Sequence, residues 1–377
     1  MSKVNPIKTF ILFYFSLSLN CIFAQSNLNE EIVYIPKQSV FGDTLLETTI
    51  FKPNGNGPFP LVIINHGMGP GNSHNQPRYR PLSATRYFLE RNYAVIVPMR
   101  PGFSKSGGTY SDAGCSIESN GFIQAEIINP VISYAHNLPY INPNLTLIVG
   151  QSHGGWATLA YGASEVDSSV KGLVNFAGGL KNTKCPGWKS GLVSASEYFG
   201  SKTKLPSLWL YGDNDSYFPR SLSSEMFDAY IKGNPRSTFF AYGNFGFDSH
   251  RFFINGDSRP IWTPPMDQFL GMIGMPNRVV NSGYKNPPRL TRPPKTNFAQ
   301  IDEIDKVPYI SDAGKAAYKQ YISTSDEKAF AISKSGKFAW EYGTDDPLAG
   351  ALESCSGQSQ TPCSLYTVDE DVVWVEK

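Results

Sequence analysis

The stretch Leu147–Trp156 reads LIVGQSHGGW, and the reading of the whole chain turns on it. Three β-forming residues run into Gly150, then Ser152 stands between Gly150 and Gly154, with Gly155 following. This is a G-x-S-x-G pattern at the point where an apolar strand stops and a helix starts. A serine on so sharp a turn has strained backbone angles, and side chains on its neighbours would collide. Glycine at 150 and 154 relieves that, and Gly155 lets the next helix pack closely. The serine also stands at a helix N-terminus, where free N–H groups and the dipole favour negative charge. Glycine and serine are common in ordinary turns too. The choice between a nucleophile and a plain turn therefore rests on what the rest of the chain supplies.

Apolar β-rich runs recur on both sides of this stretch. Strands are expected at Leu45–Phe51, Leu61–Asn65, Ala94–Pro98, Thr146–Val149, Gly172–Phe176, Ser207–Tyr211 and Thr238–Tyr242. Helix-like segments lie between them at Leu82–Arg91, Phe122–Asn137, His153–Gly162 and Ser221–Lys232. The central runs are solidly apolar rather than alternating, which implies burial on both faces. Strand and helix in regular alternation give a mostly parallel sheet flanked by helices. In such sheets the reactive groups sit on loops beyond the carboxyl ends of the strands.

A serine hydroxyl needs a base to take its proton and a carboxylate to orient that base. Of the five histidines, His66, His74 and His136 precede Ser152 and His153 adjoins it and would point elsewhere on the turn, which leaves His250, in FGFDSHRFF after the last expected strand. The acids in reach are in LWLYGDNDSYFP, just past another strand. Asp215 is favoured, because the strand end, Gly212 and a short turn carry it toward the site. Asp213 is the runner-up and Asp248 the third choice. The order Ser152, Asp215, His250 is that of the G-x-S-x-G hydrolases. An oxyanion needs N–H donors, and these are assigned to the backbone of His153 and of Met68, in IINHGMGPG at another strand end. His66 in the same loop reads as a buried brace. Trp156, Trp188 and Tyr217 are near the site in sequence, but aromatic residues there are more often core than substrate contacts.

With these pieces in place, residues from roughly 40 to 275 resemble an α/β-hydrolase, closest to the dienelactone hydrolase-like and prolyl-oligopeptidase-like branches. The likeness is carried by NHGMG, PMRPGFSKSGG, GQSHGG, YGDNDSYFP and DSHRFF. It implies an eight-stranded sheet and a serine hydrolase acting through an acyl-enzyme. Dienelactone hydrolases proper have a cysteine as nucleophile where this chain has Ser152, which counts against dienelactone cleavage itself. Pro101 also departs from the resemblance, standing where that turn usually has glycine.

At the amino end, Lys3 and Lys8 precede the apolar run TFILFYFSLSL and the small residue Ala24. That layout is a secretory signal peptide, and residues 1–24 are expected to be removed, giving a secreted or periplasmic protein. The run is shorter than the ~20 residues of a membrane span, and no span is expected. Asn20 before Cys21 argues against lipidation there. Loss of the two lysines would take the formal charge from +1 to −1, leaving no handle for nucleic acid. Four cysteines then remain, an even number that suggests two disulfides in an oxidising compartment. Cys355 and Cys363 are close in one segment and are paired, leaving Cys115 for Cys185. No CxxC or paired histidines favour zinc over this, and no cofactor is called for.

The resulting organisation is a signal peptide at 1–24, an α/β-hydrolase catalytic domain at 25–283, a Pro-rich linker at 284–312 and a small α+β module at 313–377. Within that module a helix is expected near Ala313–Ile322, a hairpin around Ser335-Gly336, a helix in DPLAGALESC and a last strand in CSLYTVDEDVVWVE. The leading expectation is hydrolysis of a small or medium carboxylic ester. A prolyl-oligopeptidase-type peptidase is the alternative, but only roughly 30 residues separate the signal from the first motif strand, short of the large screening domain of such enzymes. A non-catalytic binding protein is the third reading, and it has no use for an activated serine.

Overall fold

A computed structural model describes residues 28–38, 42–69, 71–324 and 327–376. The expected signal peptide, with Lys3, Lys8, Cys21 and Ala24, lies outside the described residues. The larger sheet is built from β1 (Glu30–Lys37), β2 (Thr44–Phe51), β3 (Phe59–Asn65), β4 (Ala94–Pro98), β5 (Ile141–Gln151), β6 (Val170–Phe176), β7 (Ser207–Tyr211) and β8 (Ser237–Ala241). Its order is β1-β2-β4-β3-β5-β6-β7-β8, with β2 antiparallel to both neighbours and the strands from β4 to β8 parallel.

Strand periodicity explains how this sheet is covered on both faces. Leu61 and Ile63 of β3 point into one apolar cluster and Val62 and Ile64 into the other, as side chains two apart share a face. On the first face lie α2 (Ile117–Ala125), α3 (Ile128–His136), α4 (His153–Gly162), α5 (Trp188–Lys202) and α6 (Arg220–Ile231), with Trp156, Phe199 and Leu222 inward. On the second face lie α1 (Leu82–Glu90) and α7 (Arg259–Met272), through Phe88, Trp262 and Phe269. The expectation of a mostly parallel eight-stranded sheet flanked by helices therefore holds. The parallel order reverses between β3 and β5, whose ends meet at Asn65 and Gly150. In open α/β sheets, ligands bind beyond the carboxyl ends of the strands at such a reversal.

Some elements differ from the sequence reading, among them the last expected strand in CSLYTVDEDVVWVE, which is two short strands, Cys363–Val368 and Asp371–Val372. The single helix expected over Phe122–Asn137 is two, α2 and α3, and Pro130 sits in the first turn of α3, where a missing N–H is tolerated. Helix α7 lies outside the expected helices, and Pro264 and Pro265 stand inside it. Strand β1 was not anticipated either; it is an edge strand paired on one side only, with Ile32 and Tyr34 exposed.

A second, smaller sheet follows in the carboxyl-terminal part. It consists of β9 (Lys328–Ser333), β10 (Phe338–Tyr342), β11 (Cys363–Val368) and β12 (Asp371–Val372), antiparallel in the order β10-β9-β11-β12. Helix α8 (Asp312–Ser323) packs on Phe330 and Ile332, and α9 (Pro347–Ser356) on Ala329 and Ala331 of the opposite face. The Pro-rich segment before it is extended and tied down. Asn286 Nδ2 donates to Ser83 Oγ at 2.7 Å, and Arg289 pairs with Asp257 at 2.6 Å and Glu327 at 3.0 Å. Disulfides join Cys115 to Cys185 and Cys355 to Cys363.

Candidate active site

The turn between β5 and α4 has the strain its sequence calls for. Ser152 has φ 55° and ψ −123°, far from the regions open to ordinary L-residues. The glycines are there for close approach. A Cβ on Gly150 would sit 2.1 Å from the carbonyl oxygen of Gly154, and one on Gly154 would sit 2.1 Å from that of Asn65. The serine is anchored by its own backbone, its N–H donating to Phe176 O at 2.9 Å.

Ser152 Oγ lies 2.8 Å from His250 Nε2, across 98 positions of sequence. On the other side of the ring, Nδ1 lies 3.0 Å from Asp215 Oδ2 and 3.1 Å from Oδ1. All three residues are buried. Asp215 is further fixed by the N–H groups of Tyr217 and Phe218, each donating to Oδ1 at 2.8 Å. Facing the carboxylate, the imidazole carries its proton on Nδ1, which leaves Nε2 as an acceptor for the serine hydroxyl.

The other acid candidates lie elsewhere. Asp213 is on the surface, paired with Arg220 at 3.2 Å. Asp248 caps the turn that carries His250, accepting the His250 N–H at 2.9 Å and the Ser216 N–H at 3.0 Å. Its partial burial pushes its carboxyl up, but the hydrogen bonds from Ser216 and His250 outweigh this and hold it below the usual range. Gln151 adds a further support, its Nε2 donating to the carbonyl of His250 at 3.2 Å.

Among the aromatic residues, Tyr217 stacks on the His250 ring with centroids 4.3 Å apart and stays partly exposed, forming a wall of the site. Trp156 is core, its indole donating to Ile117 O at 3.0 Å. The His153 side chain points away from Ser152, with Nε2 2.7 Å from Asn120 Oδ1. Its N–H opens α4, where amides have no partner within the helix. Gly67 lies beside the serine, since a Cβ on it would sit 3.2 Å from Ser152 Cβ, and Met68 follows it in the chain.

Beneath this loop lies an arginine that the sequence reading did not single out. Arg100 is buried at the end of β4, and its guanidinium donates to the carbonyls of His66 at 2.7 Å and Gly67 at 2.9 Å. His66 completes the brace. Its Nε2 accepts the Arg100 N–H at 3.0 Å, so Nδ1 holds the proton and donates to Gly67 O at 2.6 Å. Burial first, and the Arg100 charge second, keep both His66 and His153 well below the ordinary histidine range, so both rings are neutral. Among the described residues, no cluster of three or more His, Cys, Asp or Glu has the geometry to hold a metal ion. No helix among them is long and apolar enough to cross a membrane.

The sheet order, the strand reversal between β3 and β5, and the strained serine turn define an α/β-hydrolase fold. No family model matches the chain. It is 24% identical over 251 residues to the uncharacterized protein YfhR of Escherichia coli O157:H7, covering 60% of this chain and 83% of YfhR. The YfhR of Escherichia coli K12 matches over the same extent at the same identity. Among solved structures, the chain is similar to the alpha/beta hydrolase GrgF from a Penicillium species (14% identity, 65% of this chain and 100% of GrgF, TM-score 0.49). It is similar also to the Pyrococcus furiosus esterase Pf2001 (15% identity, 72% of this chain and 98% of the esterase, TM-score 0.47). A third is a puromycin-hydrolyzing peptidase of Mycobacterium tuberculosis (17% identity, 69% of this chain and 42% of the peptidase, TM-score 0.49). These are likenesses of fold alone.

Proposed function

We propose that this protein is an exported serine hydrolase that cleaves a small or medium carboxylic ester through an acyl-enzyme. The observation that carries the reading is the unbroken chain of contacts from Ser152 Oγ to His250 at 2.8 Å and on to Asp215 at 3.0 Å. Ser152 Oγ attacks the ester carbonyl as His250 Nε2 takes its proton. The N–H groups of His153 and Met68 receive the oxyanion. His250 then returns the proton to the leaving alcohol, and water repeats the sequence to release the acid. Asp215 keeps the ring in the working tautomer and stabilises the imidazolium. Export is supported by the basic and apolar amino end and by the two disulfides, which fit an extracellular location. The carboxyl-terminal module from about residue 313 is proposed as a separate unit, held by the Cys355–Cys363 bridge.

The test is hydrolysis of p-nitrophenyl esters from acetate to octanoate, with Pro-containing amides as competitors, by wild type and Ser152→Ala. Ester turnover that is lost in the variant supports the reading. Preferential turnover of the Pro-amides favours a peptidase of prolyl-oligopeptidase type. No turnover of either class by folded wild type contradicts both.

A further inference from the structure

Arg100 is a buried cation that lies over the Phe103 ring, 4.9 Å from its centroid, and donates to backbone carbonyls. Among the described residues no carboxylate lies within ion-pair distance of it, and its Nε is buried without a hydrogen-bond partner. Burying a charge without a counter-ion is costly, so its retention at this position calls for a return elsewhere. Its contacts say where. Nη1 holds the carbonyl of His66 and Nη2 that of Gly67, at 2.7 and 2.9 Å. Across a trans peptide, C=O and N–H point in opposite directions, and the only cis bond among the described residues is Gly57-Pro58. Fixing the Gly67 carbonyl toward Arg100 therefore turns the Met68 N–H to the opposite side, while the Gly67 backbone runs beside Ser152.

We propose that Arg100 is a positioning residue for the oxyanion site: it orients and polarises the 67–68 peptide so that the Met68 N–H is set to receive the oxyanion formed on Ser152. A carbonyl bonded to a guanidinium draws electron density from its own peptide, which makes the attached N–H a stronger donor. Burial pulls the guanidinium down only to about 9, so it is charged at neutral pH. Gln76 holds the far side of the same loop, exchanging hydrogen bonds with Gly69 at 2.9 Å in both directions. The loop is thus clamped from two sides around Met68. The proposal rests on the esterase reading above.

The experiment compares wild type, Arg100→Met and Arg100→Lys in three measurements: kcat and KM for p-nitrophenyl butyrate, inhibition by a phenylalkyl trifluoromethyl ketone, and inhibition by the matching secondary alcohol. The ketone adds Ser152 Oγ at its carbonyl carbon, passes the proton to His250 and leaves an oxyanion; the alcohol binds without forming one. Arg100→Met is expected to lower kcat and weaken the ketone by about 100-fold each, the scale of one lost oxyanion donor. KM and the alcohol should move less than about threefold. Arg100→Lys keeps the charge but cannot hold both carbonyls as the fork does, and should show an intermediate loss of about tenfold in both kcat and ketone affinity. A folded Arg100→Met with wild-type kcat overturns the proposal, as does equal weakening of ketone and alcohol. If the methionine variant does not fold, the lysine variant decides: unchanged kcat and ketone affinity overturn it. Wild type that neither cleaves the ester nor binds the ketone removes the esterase reading itself, and the proposal with it.

Discussion

Replacing Asp215 by asparagine changes little in shape and isolates what the carboxylate contributes. Its Oδ1 accepts the N–H groups of Tyr217 and Phe218 at 2.8 Å each, and both oxygens face His250 Nδ1 at 3.0–3.1 Å. In Asp215→Asn the two backbone donors keep the amide oxygen where Oδ1 was, which leaves the NH2 facing Nδ1. An NH2 only donates, so Nδ1 must accept and the ring proton moves to Nε2, where Ser152 needs an acceptor. The ring stays in place with its proton on the wrong nitrogen. In Ser-His-Asp sites this inversion costs about 10⁴ in kcat, or about 5.5 kcal/mol of barrier at 1.36 kcal/mol per decade. Stability should fall by only about 1–2 kcal/mol, the difference between charged and neutral acceptors. Steady-state hydrolysis of p-nitrophenyl butyrate and a thermal melt measure the two effects separately. Asp213→Asn, at an exposed ion pair, is expected to change kcat by less than about threefold. The reasoning is refuted if Asp215→Asn retains more than a tenth of wild-type kcat, or if Asp248→Asn is the more damaging change.

Three other outcomes are expected. Asp345, whose carboxylate accepts the Ser83 N–H at the start of α1, is pushed by burial up to about 7. Its native pKa is raised, so between about pH 4 and 7 the folded state holds the proton more tightly than the unfolded one. Stability from this group is complete below that range and is lost as pH rises through it. Asp345→Asn should therefore raise Tm over wild type at pH 8, with a gain that shrinks toward pH 5; equal shifts at both pH values contradict this. Opening the Cys115–Cys185 bridge by double alanine substitution frees a loop with a separation of 70 residues. The chain-entropy account gives a loss of about 4 kcal/mol, readable by denaturant unfolding, and less for the Cys355–Cys363 bridge. Gly154→Ala forces a methyl against the Asn65 carbonyl and should destabilise by about 3 kcal/mol, with a fall in Tm and in soluble yield.

The parts of the molecule legible in the sequence are those where a steric or chemical demand leaves few residue types. Gly150 and Gly154 announce their turn because backbone from another element passes within reach of their missing Cβ atoms. His250 is legible from its place in a loop after the last expected strand, and Asp215 over Asp213 from the few residues of turn that separate a buried carboxylate from a surface one. The solid apolar runs of β3 and β4 spell burial on both faces and so fix the class of sheet. Helix α7 was illegible because its internal Pro264 and Pro265 break the expected pattern, and β1 because an edge strand with exposed Ile32 and Tyr34 has no clean alternation. Arg100 left only a faint signal, a charged residue directly after the apolar run Ala94–Met99. Its hydrogen-bond acceptors are backbone carbonyls, and no pattern of residue types records those.

The most direct test of the central claim is covalent labelling with a fluorophosphonate, followed by mass spectrometry of the modified peptide. The probe needs an activated serine and an oxyanion site, and no particular ester specificity. The account predicts one phosphonyl group per chain, on Ser152, abolished in Ser152→Ala and slowed by about 10³ or more in Asp215→Asn. A folded wild type that is not labelled, or is labelled at another serine, contradicts it.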